Sequence, residues 1–144
     1  MDYIIRPIDK YDYDDLVTLW TRSGLEYRPG GRDSREAMAA QFVRSDSCFL
    51  GMYDGDKMIG SVIGSHDGRK GWINRLAIDP DYRGRALAQK LIDAVEGFLH
   101  EQGIRVIAAL IEDWNTPSLS AFKKAGYDIS DKILYCSRRT SADD

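Results

Sequence analysis

"AIDPDYRGRALAQKLI", residues 77–92, is the stretch whose reading decides the fold. An apolar segment ends at Ile78, Asp79-Pro80 breaks it, and Gly84 stands between two arginines before an amphipathic run begins. A tight turn needs the glycine but not the arginines. An anion held at a helix start accounts for both, because the first four N–H groups of a helix lack intrahelical partners and carry partial positive charge. Gly84 gives a phosphate access to those groups, while Arg83, Arg85 and, one turn on, Lys90 add local charge. Ala86 and Ala88 keep the helix start uncluttered. Taken alone, a tight turn with two solvated arginines explains the stretch equally well.

Downstream, Leu87, Leu91, Ala94, Val95, Phe98 and Leu99 recur at helical spacing until Gly103. "RVIAALI", residues 105–111, is a nearly continuous apolar run, as expected of a strand buried on both faces. Thr116-Pro117 reads as an N-cap with proline at the first helical position, and Gly126 closes that helix. The chain is then β-like to about Ser137, and residues 138–144 read as a loose polar tail.

Upstream, residues 72–78 predict a strand, and Asp67-Gly68 joins it to another at residues 57–66. Asp54-Gly55 predicts a tight hairpin back to a strand at 48–53. Near the start, residues 3–7 predict a strand, and Asp12 opens a helix with Leu16, Val17, Leu19 and Trp20 on one face. Asp33 and Glu36 have the spacing of a capping box, which starts a second helix running to about Val43. The order β-α-α-β-β-β-α-β-α-β-β describes an α/β (α+β) domain over residues 1–144. Its sheet is mixed, mostly antiparallel, with helices on both faces.

Composition narrows the possibilities. A chain of 144 residues, 43% hydrophobic and 30% charged, has the size and make-up of one globular domain. Its net charge of −3 argues against a nucleic-acid partner, which selects a basic excess or stripe. Cys48 and Cys136 form no ligand-spaced pair, so no metal site is expected, and both read as small buried residues of a reducing compartment. "MDYIIRPIDK" lacks a signal-peptide core and no run is long enough to span a membrane; the expectation is a cytoplasmic protein.

Two stretches together, "INRLAIDPDYRGRALAQKLIDAVEGFL" and "IEDWNTPSLSAFKKAGY", resemble the GNAT family of N-acetyltransferases. The family's Arg/Gln-x-x-Gly-x-Gly/Ala loop falls on residues 83–88. Its Asn followed by a helix ending in Gly-aromatic falls on Asn115 through Gly126-Tyr127. The resemblance covers essentially the whole chain. It implies acetyl-CoA as co-substrate, with pyrophosphate on the backbone of Arg83, Gly84, Arg85, Ala86, Leu87 and Ala88. It also implies a pantetheine arm in a cleft where two parallel strands splay apart. That cleft falls between residues 72–78 and 105–111. Backbone groups of Leu76 and Ile78, around Ala77, are the implied partners of the arm, with Asn115 and the helix beginning at Pro117 at its border. The implied partner is an amine-bearing acceptor, either a small molecule or a protein, and a homodimer through the C-terminal strands fits the family.

Three positions depart from the family pattern. Ala86 replaces a loop glycine; its methyl group is accommodated if the residue keeps right-handed helical angles, with a slightly less close phosphate approach, and binding is expected to survive. Phe122 stands where many members carry a tyrosine acting as general acid, and its ring is expected near the thioester. Trp72 stands where some carry a glutamate base. Direct attack by a neutral amine needs neither group if water or a nearby carboxylate takes the proton. Glu112, after the buried strand and close to Asn115, is the candidate base, its plain alternative being an exposed strand-end carboxylate. Asp113 is a poorer one.

The remaining polar residues carry weaker signals. His66 reads as a surface or packing residue, His100 as a partner of its helix terminus, and Tyr127 as core with its hydroxyl reaching out. Segment 24–34 carries Glu26, Tyr27, Arg28 and Arg32, and in the family it shapes the acceptor site. Its arginines suit an acceptor carboxylate, or the segment is a solvated glycine-rich loop. Strand alternation lets only one of Asn74 and Arg75 face the cleft, with Trp72 on the Asn74 side.

The leading expectation is acetyl transfer from acetyl-CoA to a primary amine. A non-catalytic acyl-CoA-binding module is the alternative that Phe122 and Trp72 suggest. A nucleotide-binding domain is a third, and Asn115 with its helix argues against it.

Overall fold

Two short connections fold the middle of the chain into three antiparallel strands, β2 (Ser47–Asp54), β3 (Lys57–His66) and β4 (Lys70–Ile78). The structure, a computed structural model, describes residues 2–144. Asp54 pairs with Lys57, so the first turn is Gly55-Asp56, one residue beyond the expected Asp54-Gly55, and Gly55 takes φ +60°. In the second connection, the Asp67 carboxylate accepts the N–H groups of Arg69 and Lys70, both at 2.9 Å. β1 (Ile4–Pro7) adds antiparallel to β2, and β5 (Val106–Ala109) adds parallel to β4. The five-stranded sheet therefore runs β1-β2-β3-β4-β5, mixed and mostly antiparallel as expected.

Four helices cover it. α1 (Tyr13–Arg22) follows a 3₁₀ turn at Lys10–Asp12, and with α2 (Arg35–Phe42) it closes one core around Leu16, Leu19, Trp20 and Met38. α3 (Leu87–Glu101) and α4 (Thr116–Lys124) contribute Leu91, Ile92, Val95, Leu99 and Phe122 to a second core, where they pack with β3 and β4 residues.

Several expectations fail for identifiable reasons. α2 is capped by Ser34, whose side chain accepts from the Ala37 N–H, while Asp33 turns inward to other partners. α4 is capped by Asn115, with Pro117 at the second helical position. Residues 127–137 form no strand, so β5 has no neighbour on its outer side. β5 is consequently not buried on both faces, and Val106 and Leu110 are exposed. Cys136 is exposed as well; only Cys48 is substantially buried, and burial pushes its thiol up to about 11. The terminal residues, expected loose, lie against the 28–31 segment, where Arg28 donates to the Ala142 carbonyl at 3.4 Å.

Glycines set the distance between α3 and the sheet. A Cβ on Gly64 would sit 2.5 Å from Val95 Cγ1, and one on Gly71 2.9 Å from Leu99 Cδ1. Overpacking of this kind costs about 1–3 kcal/mol. Gly64→Ala is expected to lower unfolding free energy by about that amount in urea titration, and by less in a Val95→Ala background. Equal costs in both backgrounds would mean that Val95 is not the obstacle.

Candidate active site

β4 is the strand from which the site is built. Its pairing with β5 covers only Lys70–Ile73, whereas β4 itself continues to Ile78. The parallel strands thus part after Ile73, and the outer backbone of residues 74–78 has no strand partner. On the inner side the register to β3 shifts between Ser61 and Ile63, and Arg75 adopts φ +55°. This extra residue is a β-bulge, and bulges bend a strand and re-aim its side chains. The expected simple alternation of Asn74 and Arg75 ends there.

Past the bulge, the orientation of β4 follows from one hydrogen bond. The Asp79 N–H donates to the Ile59 carbonyl at 2.7 Å and so faces β3. Backbone groups alternate sides along a strand. Those of Ala77 therefore face β3 as well, and those of Leu76 and Ile78 point away, towards the opening.

Asp79 holds the end of this strand. Its side chain is 1% exposed, accepts from the Asp81 N–H, and pairs with Arg22 at 3.0 Å. Burial pushes its carboxyl pKa up, but the Asp81 N–H, Arg22 and Lys57 outweigh burial and hold it below the usual range. A 3₁₀ turn at Pro80–Tyr82 follows. Arg83 is then extended at φ −70°, Gly84 takes φ +79°, and Ala86 takes φ +60° before α3 begins at Leu87. Ala86 does not meet the condition of right-handed helical angles. It adopts the left-handed conformation because the turn reverses there, where glycine would carry no Cβ penalty. Backbone that alternates the sign of φ gathers its N–H groups into a concave anion receptor. No side chain caps α3, and its first turn holds no acidic residue, so the helix start has no internal anion to compete with a phosphate.

A cleft of about 380 Å³ joins these pieces. Leu76, Ala77 and Ile78 form one wall; Arg83, Gly84, Ala86, Leu87 and Ala88 form the end; Asn115 and α4 form the other wall. Most of the expected site residues are thereby brought together. Arg85 and Phe122 do not bound the cleft. The Arg85 guanidinium donates to the Tyr3 hydroxyl at 2.9 Å and lies 5.0 Å over the Tyr82 ring. Phe122 is 3% exposed and meets the Tyr127 ring edge-on at 5.0 Å, in the core behind Ala121. Glu112 is exposed and also outside the cleft wall; its carbonyl accepts the Asn115 N–H at 3.0 Å.

Other candidates are accounted for locally. His66 bonds Gln102 at 3.1 Å and accepts the Gly68 N–H, a surface arrangement. The Tyr127 hydroxyl donates to Glu96 at 2.7 Å, and burial with that carboxylate pushes its pKa up. Arg28 pairs with Glu26 at 3.2 Å, and Arg32 is exposed. No group of three or more His, Cys, Asp or Glu suited to a metal occurs among the described residues.

The sequence reading missed Ser23, Leu25, Tyr82 and Gln89, while the α4 face, expected at the border, does bound the cleft. Pro117, Ser120, Ala121 and Lys124 bound the cleft at i, i+3, i+4 and i+7, a periodicity that was available as a signal. Gln89 bridges α3 to α4 through the Ala121 carbonyl at 2.7 Å, which no local pattern reveals.

Apolar walls suited to a pantetheine arm, ending at free helix N–H groups, fit a CoA ester. The comparisons agree. Residues 13–127 match the model of the Acetyltransferase (GNAT) family. An acetyltransferase of Sodalis glossinidius (strain morsitans) is 30% identical over 139 residues, 96% of each chain. The PaiA N-acetyltransferase of Thermoplasma acidophilum, solved with coenzyme A, superposes with a TM-score of 0.80 at 21% identity, over 92% of this chain and 94% of that one. A predicted acetyltransferase of Clostridium acetobutylicum, solved with acetyl-CoA, gives 0.76 at 19% identity, over 94% and 96%. At those identities the structures establish the fold, and the family match with the Sodalis relative establishes kinship. The chain belongs to the acetyltransferase (GNAT) family, enzymes that use acetyl-CoA as co-substrate.

Proposed function

We propose that this protein transfers the acetyl group of acetyl-CoA to a primary amine by direct attack. The observation that carries the reading is the outer backbone of Leu76–Ile78, which has no strand partner and only a 3.4 Å bond from Ser23 Oγ to the Ile78 carbonyl, leading straight to the uncapped start of α3. The pyrophosphate is held by N–H groups of the 83–88 turn, with Arg83 beside it. The amides of the pantetheine arm bond to Leu76 and Ile78, and Asn115 closes the far side. Arg85 contributes its backbone, since its side chain is engaged by Tyr3. Phe122 supports Ala121 and Ser118 from behind rather than touching the thioester.

In the reaction a neutral amine nitrogen bonds to the thioester carbonyl carbon, the C–S bond breaks, and CoA leaves as a thiol after taking a proton. Holding amine and thioester together supplies most of what this step needs. The ammonium must first lose a proton. No carboxylate or imidazole bounds the cleft, so the base lies at its mouth or is water. Glu112, exposed and next to Asn115, takes this role through a bridging water.

Free CoA released from acetyl-CoA only when an amine is added is the direct test, with N-terminal peptides, lysine, polyamines and an aminoglycoside as acceptors. Binding without amine-dependent release across that panel would oppose the transfer reading.

Two further outcomes are specific to the turn and the base. Gly84→Asp is expected to abolish measurable CoA binding in calorimetry while the fold is retained, and Ala86→Gly to bind at least as tightly because it removes the left-handed alanine. Unchanged affinity in a folded Gly84→Asp protein would place the phosphates elsewhere. Glu112→Gln is expected to lower kcat by about 10²–10⁴ and to alter the acidic limb of the pH–rate profile, with CoA affinity unchanged. A rate within severalfold of the parent, with the same profile, would assign the proton to water.

A further inference from the structure

Arg75 sits where β4 departs from regular strand geometry, yet its side chain turns away from the cleft towards segment 24–34. The guanidinium lies 4.7 Å over the Trp20 ring. It pairs with Asp33 at 3.2 Å and donates to the Glu26 carbonyl. Asp33 gathers the rest of the segment. Its carboxylate also accepts the Arg28 N–H at 2.8 Å, and its carbonyl accepts the Tyr13 hydroxyl at 2.6 Å. The Asp33 N–H returns to the Arg28 carbonyl at 3.2 Å, so residues 28–33 form a closed ring. Behind the bulge, Trp20 Nε1 donates to Ser61 Oγ at 3.1 Å, and that hydroxyl donates to the Arg75 carbonyl at 3.4 Å.

The pair is expensive to build. The side chains of Arg75 and Asp33 are only 20% and 7% exposed. Burial pulls the Arg75 pKa down, and Asp33 opposes that. A buried ion pair gives little net stability over apolar packing, but it tolerates few alternative geometries. What this pair supplies is position. Leu25, within the same segment, bounds the cleft, so the location of the segment sets one cleft wall.

We propose that Arg75 is a positioning residue for the acceptor side: it fixes segment 24–34 to the β4 bulge and so sets the wall against which the amine is presented, without touching the acyl donor. This rests on the transfer reading above.

The test compares Arg75→Met, which keeps much of the stem over Trp20, with Arg75→Lys, which keeps the charge but not the two-point reach. Hydrogen exchange of the Arg28 and Asp33 amides is followed by mass spectrometry, alongside CoA affinity by calorimetry. Steady-state kinetics use whichever panel amine supports turnover. In Arg75→Met these amides are expected to exchange about tenfold faster, with α3 amides unchanged. CoA affinity is expected to stay within about twofold and the amine KM to rise about tenfold, with a smaller change in kcat. Arg75→Lys should recover part of both effects. Parental exchange in a folded Arg75→Met protein, or lost CoA affinity with an unchanged amine KM, would overturn the proposal. If no amine supports turnover in the parent, the transfer reading fails on that result, and exchange still decides whether Arg75 holds the segment. Should Arg75→Met not fold, Arg75→Lys alone decides by the same exchange measurement.

Discussion

Backbone hydrogen bonding imposes the constraint on which this structure depends. A strand in a sheet interior satisfies its polar groups on both sides, and β4 does so only as far as Ile73. Beyond that point β3 holds it firmly on one side through the Asp79 N–H and the register at Ala77 and Ile78. The other side cannot relax towards β5, because the inner side is already fixed. A row of backbone groups without a strand partner is therefore maintained, rather than merely left over, and a ligand with amide groups along its length is its natural complement.

The two cores meet at this strand. Leu76 packs with the α3 side and Ala77 with the α1 side. Two polar ties from α1 reach the same region: Arg22 to Asp79, and Trp20 to Ser61. The turn at residues 83–88 and the helix that precedes segment 24–34 are thus fastened to the same few residues. One wall and the end of the cleft are thus held in one frame, although they come from distant parts of the chain.

How far the sequence discloses this depends on the range of the interaction. Elements with a strong local pattern were legible: the hairpins from Asp-Gly pairs, α3 from its apolar spacing, and the turn at residues 83–88 from glycine between arginines. Leu76, Ala77, Ile78 and Asn115 reached the cleft through resemblance to a family rather than through periodicity. What failed was decided by distant partners. Asp33 has the spacing of a cap, but Arg75 and the Arg28 N–H draw its carboxylate inward. A right-handed Ala86 would accommodate its methyl group without strain, but the turn's reversal excludes that conformation. "RVIAALI" is apolar enough for an interior strand, yet burial requires an outer neighbour, and residues 127–137 do not provide one. Phe122 lies on the right helix, but its ring meets Tyr127 instead of the cleft, an orientation fixed by packing.

That missing outer neighbour bears on colloidal behaviour. An edge strand presents unpaired N–H and C=O groups to any passing chain, and proteins protect such edges by brevity and charge. β5 has both protections. It is four residues long, with Arg105 before it and Glu112 and Asp113 just after it. The same shortness that opens the cleft on one side of β5 therefore limits recruitment of other strands on the other, so that one truncation has both consequences.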